Sequence, residues 1–585
     1  MKQRSQVSSP FSFLQLSLFL LITLMLPLKT EGQSLEKLQI LLKKHGAEYA
    51  QQANVLGRGD SKSVYGRFVG FMVRGLEEQG ENATARRIAE AFANPETGKI
   101  PRTEFAWITH TYARHVYREQ IINETAELIK FRTHEAPPTP NRMNPEFVKQ
   151  REYLRVLAGK LGLYYDDVGG YVQEIWIGEG KESFGVMSHS DVEPVDLSGW
   201  THDPWSGKLI DGEMWGRGTV DDKGPIVTVM YGMRAILDSG LPLKKKLILL
   251  VGTDEESANE DVKTYLKTHR PPDQTIVVDM QYPVICAEKG WCGTWLELPR
   301  PAGSPAATGL WIADLRSGFS PSIVPDKAVA KLCASGISLS EAAESVTTKA
   351  TAFMAQRPGS RLVVETSGDT LVVSAYGKSV HSSLPATGHN ALMDLLVFLD
   401  REVGPLSNAF SRLAHFGAKY IGFELDGKSL GIQHRDSFMG EVTVATNMFE
   451  VTDSTVQLMV NFRIPKGITH KAIEKALNAR YTAFNKDLNV TLKTTHYLSN
   501  AQYINPRTPL VQRLLGIYNR ITGERRAAGS IGGGTYAKRL PNAVVFGPAL
   551  PDEEYLGHQP NERIKLSTLE RNIEILTHTL VEFGL

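Results

Sequence analysis

Between Leu35 and about Phe131, apolar residues recur at spacings of three and four, as in Phe105, Ile108, Tyr112 and Val116. That spacing marks helices that bury one face. It predicts a helical extension over residues 33–112. The Pro-rich stretch 136–145 interrupts the period and reads as a loop. From about residue 150 the texture changes. Short apolar runs at 183–187, 246–251 and 275–278 are of the type buried on both faces of a parallel sheet. Between them, Ile226, Met230, Met233 and Leu237 fall on one face of a predicted helix over 224–237. This strand–helix–strand rhythm predicts an open α/β sheet.

From about 290 to 500 strand-like runs, such as 370–375 and 456–462, alternate with helices such as 390–403 and 471–484. They predict a second, α+β domain. The last 80 residues return to the first texture, so the second domain is expected as an insertion: 113–289 and 500–585 form one domain and 290–499 the other.

The 585 residues exceed one ordinary core, which agrees with two domains. A net charge of +1 leaves no broad field for nucleic acid. Three cysteines, Cys286, Cys292 and Cys333, make no disulfide scaffold and no zinc ribbon. At the N-terminus, Lys2 and Arg4 precede an apolar stretch over 11–28, followed by Thr30-Glu31-Gly32. This predicts a secretory signal over 1–32, cut after Gly32, and a secreted or periplasmic protein. The alternative is a retained anchor over 11–28. No other stretch is apolar enough to cross a bilayer, and no integral membrane partner is expected. Asn82, Asn123 and Asn489 begin N-x-T sequons, which matter only in a glycosylating pathway.

Candidate chemistry gathers where predicted strands end. His189 and Asp191 follow the first run, and an imidazole there can hold zinc while a nearby carboxylate fixes its tautomer. The run Gly216-Arg217-Gly218-Thr219-Val220-Asp221-Asp222-Lys223-Gly224 predicts a sharp strand-to-helix bend able to push one carboxylate into a cleft. Asp254, Glu255 and Glu256 follow the second run, and Asp279 ends the third. Three adjacent acids repel one another unless they face water or a cation. Carboxylates with imidazole suit zinc, with cobalt or manganese as substitutes.

These segments, in order, resemble the dizinc peptidases, the family of aminoacylase, carnosinase, carboxypeptidase G and peptidase V. Gly377-Lys378-Ser379-Val380-His381-Ser382, Gly533-Gly534-Thr535-Tyr536 and Gly557-His558-Gln559-Pro560-Asn561-Glu562 extend the match, and Asn461-Phe462-Arg463-Ile464-Pro465 places it nearest the peptidase V and Xaa-His dipeptidase branch. The resemblance implies a zinc-exopeptidase-type catalytic domain with an inserted lid. It implies two zinc ions per chain, one held by His189, Asp221 and Asp279, the other by Asp221, Glu256 and His558. Asp221 bridges them across a cis bond to Asp222. Asp191 orients His189, Glu255 is the general base, and His381 polarises the scissile carbonyl. Arg463 and the backbone near Gly533 and Gly534 receive the substrate carboxylate. The implied activity is hydrolysis of dipeptides or short peptides with a free C-terminus. An N-acyl-amino-acid deacylase is the alternative on the same metal site, and a non-catalytic binding protein on the same fold the remaining one. A lid of 210 residues is long enough to serve its own active site, so a monomer is expected. Pro321-Ser322-Ile323-Val324-Pro325 departs from the branch, which carries an asparagine before this run.

Overall fold

The computed structural model describes residues 13–57, 60–95, 101–134, 136, 138–301, 309–403 and 407–585, with side chains from Gly32 onward. The chain forms two compact units. The first comprises Met1–Val284, Pro509–Ala527 and Arg539–Leu585, the second Ile285–Thr508 and Ala528–Lys538.

The first unit opens with helices α1 (Phe13–Gly57), α2 (Ser61–Glu78), α3 (Asn82–Ala93), α4 (Arg102–Val116) and α5 (Arg118–Ile129). After helix α6 (Pro145–Leu161) come strands β1 (Tyr164–Val168), β2 (Val172–Ile177) and β3 (Ser183–His189). Helix α7 (Lys223–Ser239) leads to β4 (Lys246–Gly252), α8 (Glu260–Thr268) and β5 (Gln274–Val277). Strand β6 (Ala543–Val545) and helix α9 (Leu566–Gly584) close the unit.

In its sheet the strands lie in the order β1-β2-β4-β3-β5-β6. β3 pairs in parallel with β4 and β5, and β5 with β6. β1 and β2 run antiparallel at one side. Four parallel strands therefore end on one edge, His189 of β3 beside Gly252 of β4, and Val277 of β5 beside Val545 of β6. In an open α/β sheet that edge collects ligand groups.

The helical extension packs on this unit through specific polar contacts. α4 lies along α9, where His110 Nδ1 is 3.1 Å from His578 Nδ1. Arg114 and Arg118 pair with Glu570, and Arg114 also with Glu574. Tyr112 and Tyr117 both donate to the buried Asp238 of α7. α4 runs unbroken through residues 112 and 113.

The expected signal over 1–32, the secreted or periplasmic placement drawn from it, and the alternative anchor over 11–28 do not stand. Residues 1–12 lie outside the described residues. From Phe13 the chain is one helix to Gly57, without a break at Gly32. Among the described residues no helix is long and apolar enough to cross a membrane.

The second unit is built on an eight-stranded antiparallel sheet. Its order is Arg361–Ser367, Thr370–Tyr376, Lys327–Ser335, Gly309–Ser317, Thr443–Val451, Thr455–Ile464, Gly290–Pro299 and Lys493–Leu498. Helices Leu339–Gln356, Ala391–Glu402, Ala409–Tyr420 and His470–Leu488 supply the other layer. Leu395, Phe398 and Phe416 from the helices share a buried cluster with Leu332, Val373 and Leu458 from the strands.

Candidate metal centre

In the first unit the strand ends converge on Asp221. Its Oδ1 lies 2.9 Å from Nε2 of His189, the last residue of β3. Its Oδ2 lies 3.0 Å from His558 Nε2. One carboxylate thus faces two imidazoles, one on each oxygen. Asp221 is joined to Asp222 by a cis peptide. Around it, Asp279 Oδ1 is 3.6 Å from His189 Nε2, and Glu256 Oε2 is 2.9 Å from His558 Nε2. His189, Asp221 and Glu256 present ligand atoms within 4.8 Å of one another, and so do His189, Glu255 and Asp279. His558 adopts a left-handed backbone at φ 66°, unusual for a side chain with a Cβ and typical of functional positions.

The electrostatics fit a cation. Burial, then the neighbouring Asp279 and Glu256 charges, push the Glu255 carboxyl well above its ordinary value. Burial also lifts Glu256 to about 7 and Asp279 to about 6, and in each case Asp221 adds its charge. Burial opposes a charge on His189, yet its contacts with Asp191, Asp221 and Asp279 hold the imidazole well above its usual value. So many buried acids are costly together without positive charge. Oε1 of Glu256 is buried with no hydrogen-bond partner, an orphan a divalent ion satisfies. His189, Asp221, Glu256, Asp279 and His558 form the nitrogen-and-oxygen donor set that suits zinc.

The next layer fixes these groups. The Asp191 backbone oxygen is 2.9 Å from His189 Nδ1, nearer than its carboxylate at 3.5 Å. The Asp191 carboxylate instead accepts from the Glu256 N–H at 3.0 Å. Asp222 Oδ2 accepts from Ser188 Oγ at 2.6 Å and from the His189 N–H at 3.2 Å. Glu562, fully buried, accepts from the N–H groups of Gly218, Val220 and Asp221 and pairs with Arg217 at 2.7 Å. It clamps the bend that presents Asp221.

The segment after α5 also holds the metal-bearing loops. Thr133 Oγ1 donates to Ser190 O, Val192 N–H donates to Thr133 O, and Lys223 Nζ donates to Phe131 O. Asn141 Nδ2 donates to Thr253 O at 2.7 Å, just before Glu255.

Sequence reasoning quoted Glu562 and Arg217 inside motifs without giving them a role. It passed over Thr133, Asn141 and Tyr555, whose hydroxyl donates to Asp221 at 2.8 Å, because nothing in their local pattern marks them. It also passed over Glu193, 4.0 Å from Nδ1 of His558.

The remaining candidates lie in the second unit. His381 pairs with Ile323 on a short two-stranded ribbon. Its Nδ1 accepts from the Ser383 N–H at 3.3 Å and lies 2.7 Å from Ser383 Oγ. A ring nitrogen that accepts carries no proton, so the neutral ring holds its proton on Nε2. Ser322, at the position where the sequence departs from the peptidase V branch, accepts from Trp291 Nε1 at 3.2 Å and from the Ser382 N–H at 2.8 Å.

Arg463 is 2% exposed. It donates to Asn461 Oδ1, to Ser382 Oγ and to Gly532 O. Its contact on the glycine-rich loop is thus Gly532, the residue preceding Gly533 and Gly534. Burial pushes its guanidinium below the usual arginine range, and among the described residues no carboxylate offsets this. Buried Glu288 accepts from Thr535 Oγ1 at 2.8 Å and pins the far end of the same loop.

Comparison with known proteins agrees with this architecture. The model of peptidase family M20/M25/M40 matches residues 185–582. The protein YtjP of Bacillus subtilis (strain 168) is 29% identical over 477 residues, 80% of this chain and 98% of its own length. The Beta-Ala-Xaa dipeptidase of Lactobacillus delbrueckii subsp. lactis is 29% identical over 430 residues, 73% of this chain and 87% of its own. Among solved structures, human carnosine dipeptidase 1 superposes with a TM-score of 0.51 at 13% identity, covering 82% of this chain and 98% of that one. At that identity the likeness is one of fold.

Proposed function

Because the chain belongs to peptidase family M20/M25/M40, we propose that it is a dizinc dipeptidase, cleaving dipeptides or short peptides beside a free C-terminal carboxylate. The observation that carries this reading is Asp221, whose two oxygens face His189 and His558 inside a cage of buried acids. The naming of the Lactobacillus relative as a Beta-Ala-Xaa dipeptidase supports the substrate class.

In this reading His189, Asp221 and Asp279 hold one zinc, and Asp221, Glu256 and His558 the other. Bound zinc supplies Lewis acidity, able to bring the pKa of water to about 7 and to polarise a carbonyl. Glu255 takes the proton of the attacking water and returns it to the leaving amine. Its carboxylate lies within 4.8 Å of the ligand atoms of His189 and Asp279, close enough to serve a water held there. His381 donates its Nε2 proton in a hydrogen bond to the carbonyl oxygen as that oxygen gains charge. Arg463 receives the substrate carboxylate on its planar fork, and the backbone of Gly533 and Gly534 completes the receptor. A buried guanidinium lacking an acid is expensive, and an arriving carboxylate relieves that cost. The enzyme acts as a monomer.

The test incubates zinc-loaded protein with a mixed panel of dipeptides, dipeptide amides and N-acyl amino acids, and identifies products by mass spectrometry. Cleavage confined to free-acid dipeptides is expected. Turnover of N-acyl amino acids alone would make the protein a deacylase. Turnover undiminished after removal of metal by a chelator would sink the metal reading altogether.

A further inference from the structure

Tyr555 stands three residues before His558. Its hydroxyl donates to Asp221 Oδ2 at 2.8 Å. That oxygen is the one His558 faces at 3.0 Å, while His189 faces the other. The phenol therefore touches the shared carboxylate on one side only. Asp191, Glu255, Glu256 and Asp279, the surrounding acids, can only accept when ionised. A phenol, protonated at neutral pH with an ordinary pKa of about 10, can donate.

The backbone at Gly557 leaves room for the ring. A Cβ added at Gly557 would lie 2.6 Å from both Cζ and Oη of Tyr555. Gly557 is not among the residues with a positive φ, so its backbone does not call for glycine. What the position requires is the absence of a side chain, and the tyrosine ring fills that space.

We propose that Tyr555 is a positioning residue for the metal centre. It fixes the Asp221 carboxylate toward the cation shared with Glu256 and His558, and Gly557 is small in order to admit its ring. A carboxylate that serves two cations can rotate about its Cβ–Cγ bond and favour either. A donor on Oδ2 holds that rotation, and partners of this kind are typically worth about 10–100-fold in metal affinity. The inference rests on the two-cation reading above.

The test is a zinc titration of the metal-free full chain against a chromophoric chelator, for wild type, Tyr555→Phe, Gly557→Ala and the double variant. His558→Ala identifies which of the two affinities belongs to the His558 side. Tyr555→Phe is expected to weaken that affinity by about 10–100-fold and to leave the other unchanged. Gly557→Ala should do the same by displacing the ring, and the double variant should be no worse than either single one. Cobalt-loaded Tyr555→Phe should show a changed visible absorption spectrum, which a merely packing role would not produce. Metal-free Tyr555→Phe should still unfold in a cooperative transition, since the ring remains, with only the small loss that one missing hydrogen bond brings.

If wild type binds two ions and Tyr555→Phe binds both as tightly, the positioning role is wrong and the metal reading survives. Equal weakening of both sites, or additive losses in the double variant, also overturns it. If wild type binds fewer than two ions, the two-cation reading itself fails and takes this inference with it.

Discussion

The strand-end edge of the first unit and the arginine of the second unit present opposite electrostatic problems. Around Asp221, acids are buried against one another, and burial with mutual repulsion raises Glu255, Glu256 and Asp279. Around Arg463, a cation is buried among neutral partners, Asn461, Ser382 and Gly532. Each region is costly by itself, and each is relieved by a ligand of opposite charge. The first calls for divalent cations that stay. The second fits an anion, which the proposed function identifies with the substrate carboxylate, and its donors are held by neutral groups. Under the proposed function, the first unit would hold the metal ions and the second would read the terminal carboxylate of the substrate.

The contrast can be broken most sharply at Glu255. Glu255→Gln removes the base and keeps the volume. We expect turnover to fall by roughly 100- to 10,000-fold, the usual worth of a general base, with both metals retained. Elemental analysis beside steady-state rates checks this. Metal loss like that of a ligand variant would move Glu255 into the ligand set, where its closeness to His189 and Asp279 also permits it.

His558→Ala tests whether the acid cage holds two cations or one. Bound zinc should drop to about one ion per chain, because His189 and Asp279 do not depend on the lost imidazole. Two tightly held ions in the variant would refute the assignment.

Arg463→Lys tests the other side of the comparison. Replacing the fork with a point charge should cost free-acid dipeptides about 1.5–3 kcal/mol in kcat/KM, or roughly 10- to 150-fold. Residual cleavage of the corresponding amides should barely change. Equal slowing of acid and amide would assign Arg463 to support of the lid.

A smaller effect concerns the extension. Burial, together with the charges of His578 and of nearby arginines, holds His110 well below its ordinary value, and burial likewise lowers His578 despite Glu582 beside it. Both therefore take a proton less readily in the folded state than an unfolded histidine, which protonates near pH 6.5. Stability should therefore be full above about pH 6.5 and fall below it, by at most about 1.4 kcal/mol per pH unit for each group. Melting curves between pH 7.5 and 5 should fall less steeply for His110→Leu than for wild type. Parallel curves would mean the pair does not titrate. The smallest expected effect is none: activity per mole should stay constant on dilution, and a steep decline would replace the monomer with an obligate dimer.

Much of the fold and of the chemistry was legible along the chain. The runs at 246–251 and 275–278 became strands Lys246–Gly252 and Gln274–Val277, and the helix expected over 224–237 became Lys223–Ser239. Such elements declare themselves because residues a few positions apart fix which face is buried. Some candidate donors were legible for a related reason: polar groups ending buried strands, as at His189, Glu255, Glu256 and Asp279, stand out against their apolar runs, whereas His558 came only with the family resemblance. What the sequence could not fix was the order of the strands, so it could not tell which ends would meet. Only the parallel pairing of β3 with β4 and β5, and of β5 with β6, puts His189, Glu255, Glu256, Asp279 and His558 at one edge. The supporting contacts were hidden further still. Tyr555 reaches Asp221 across 334 positions and Thr133 reaches Ser190 across 57. Periodicity is a local property set by neighbouring residues, whereas a site is made of residues that packing brings together from far along the chain.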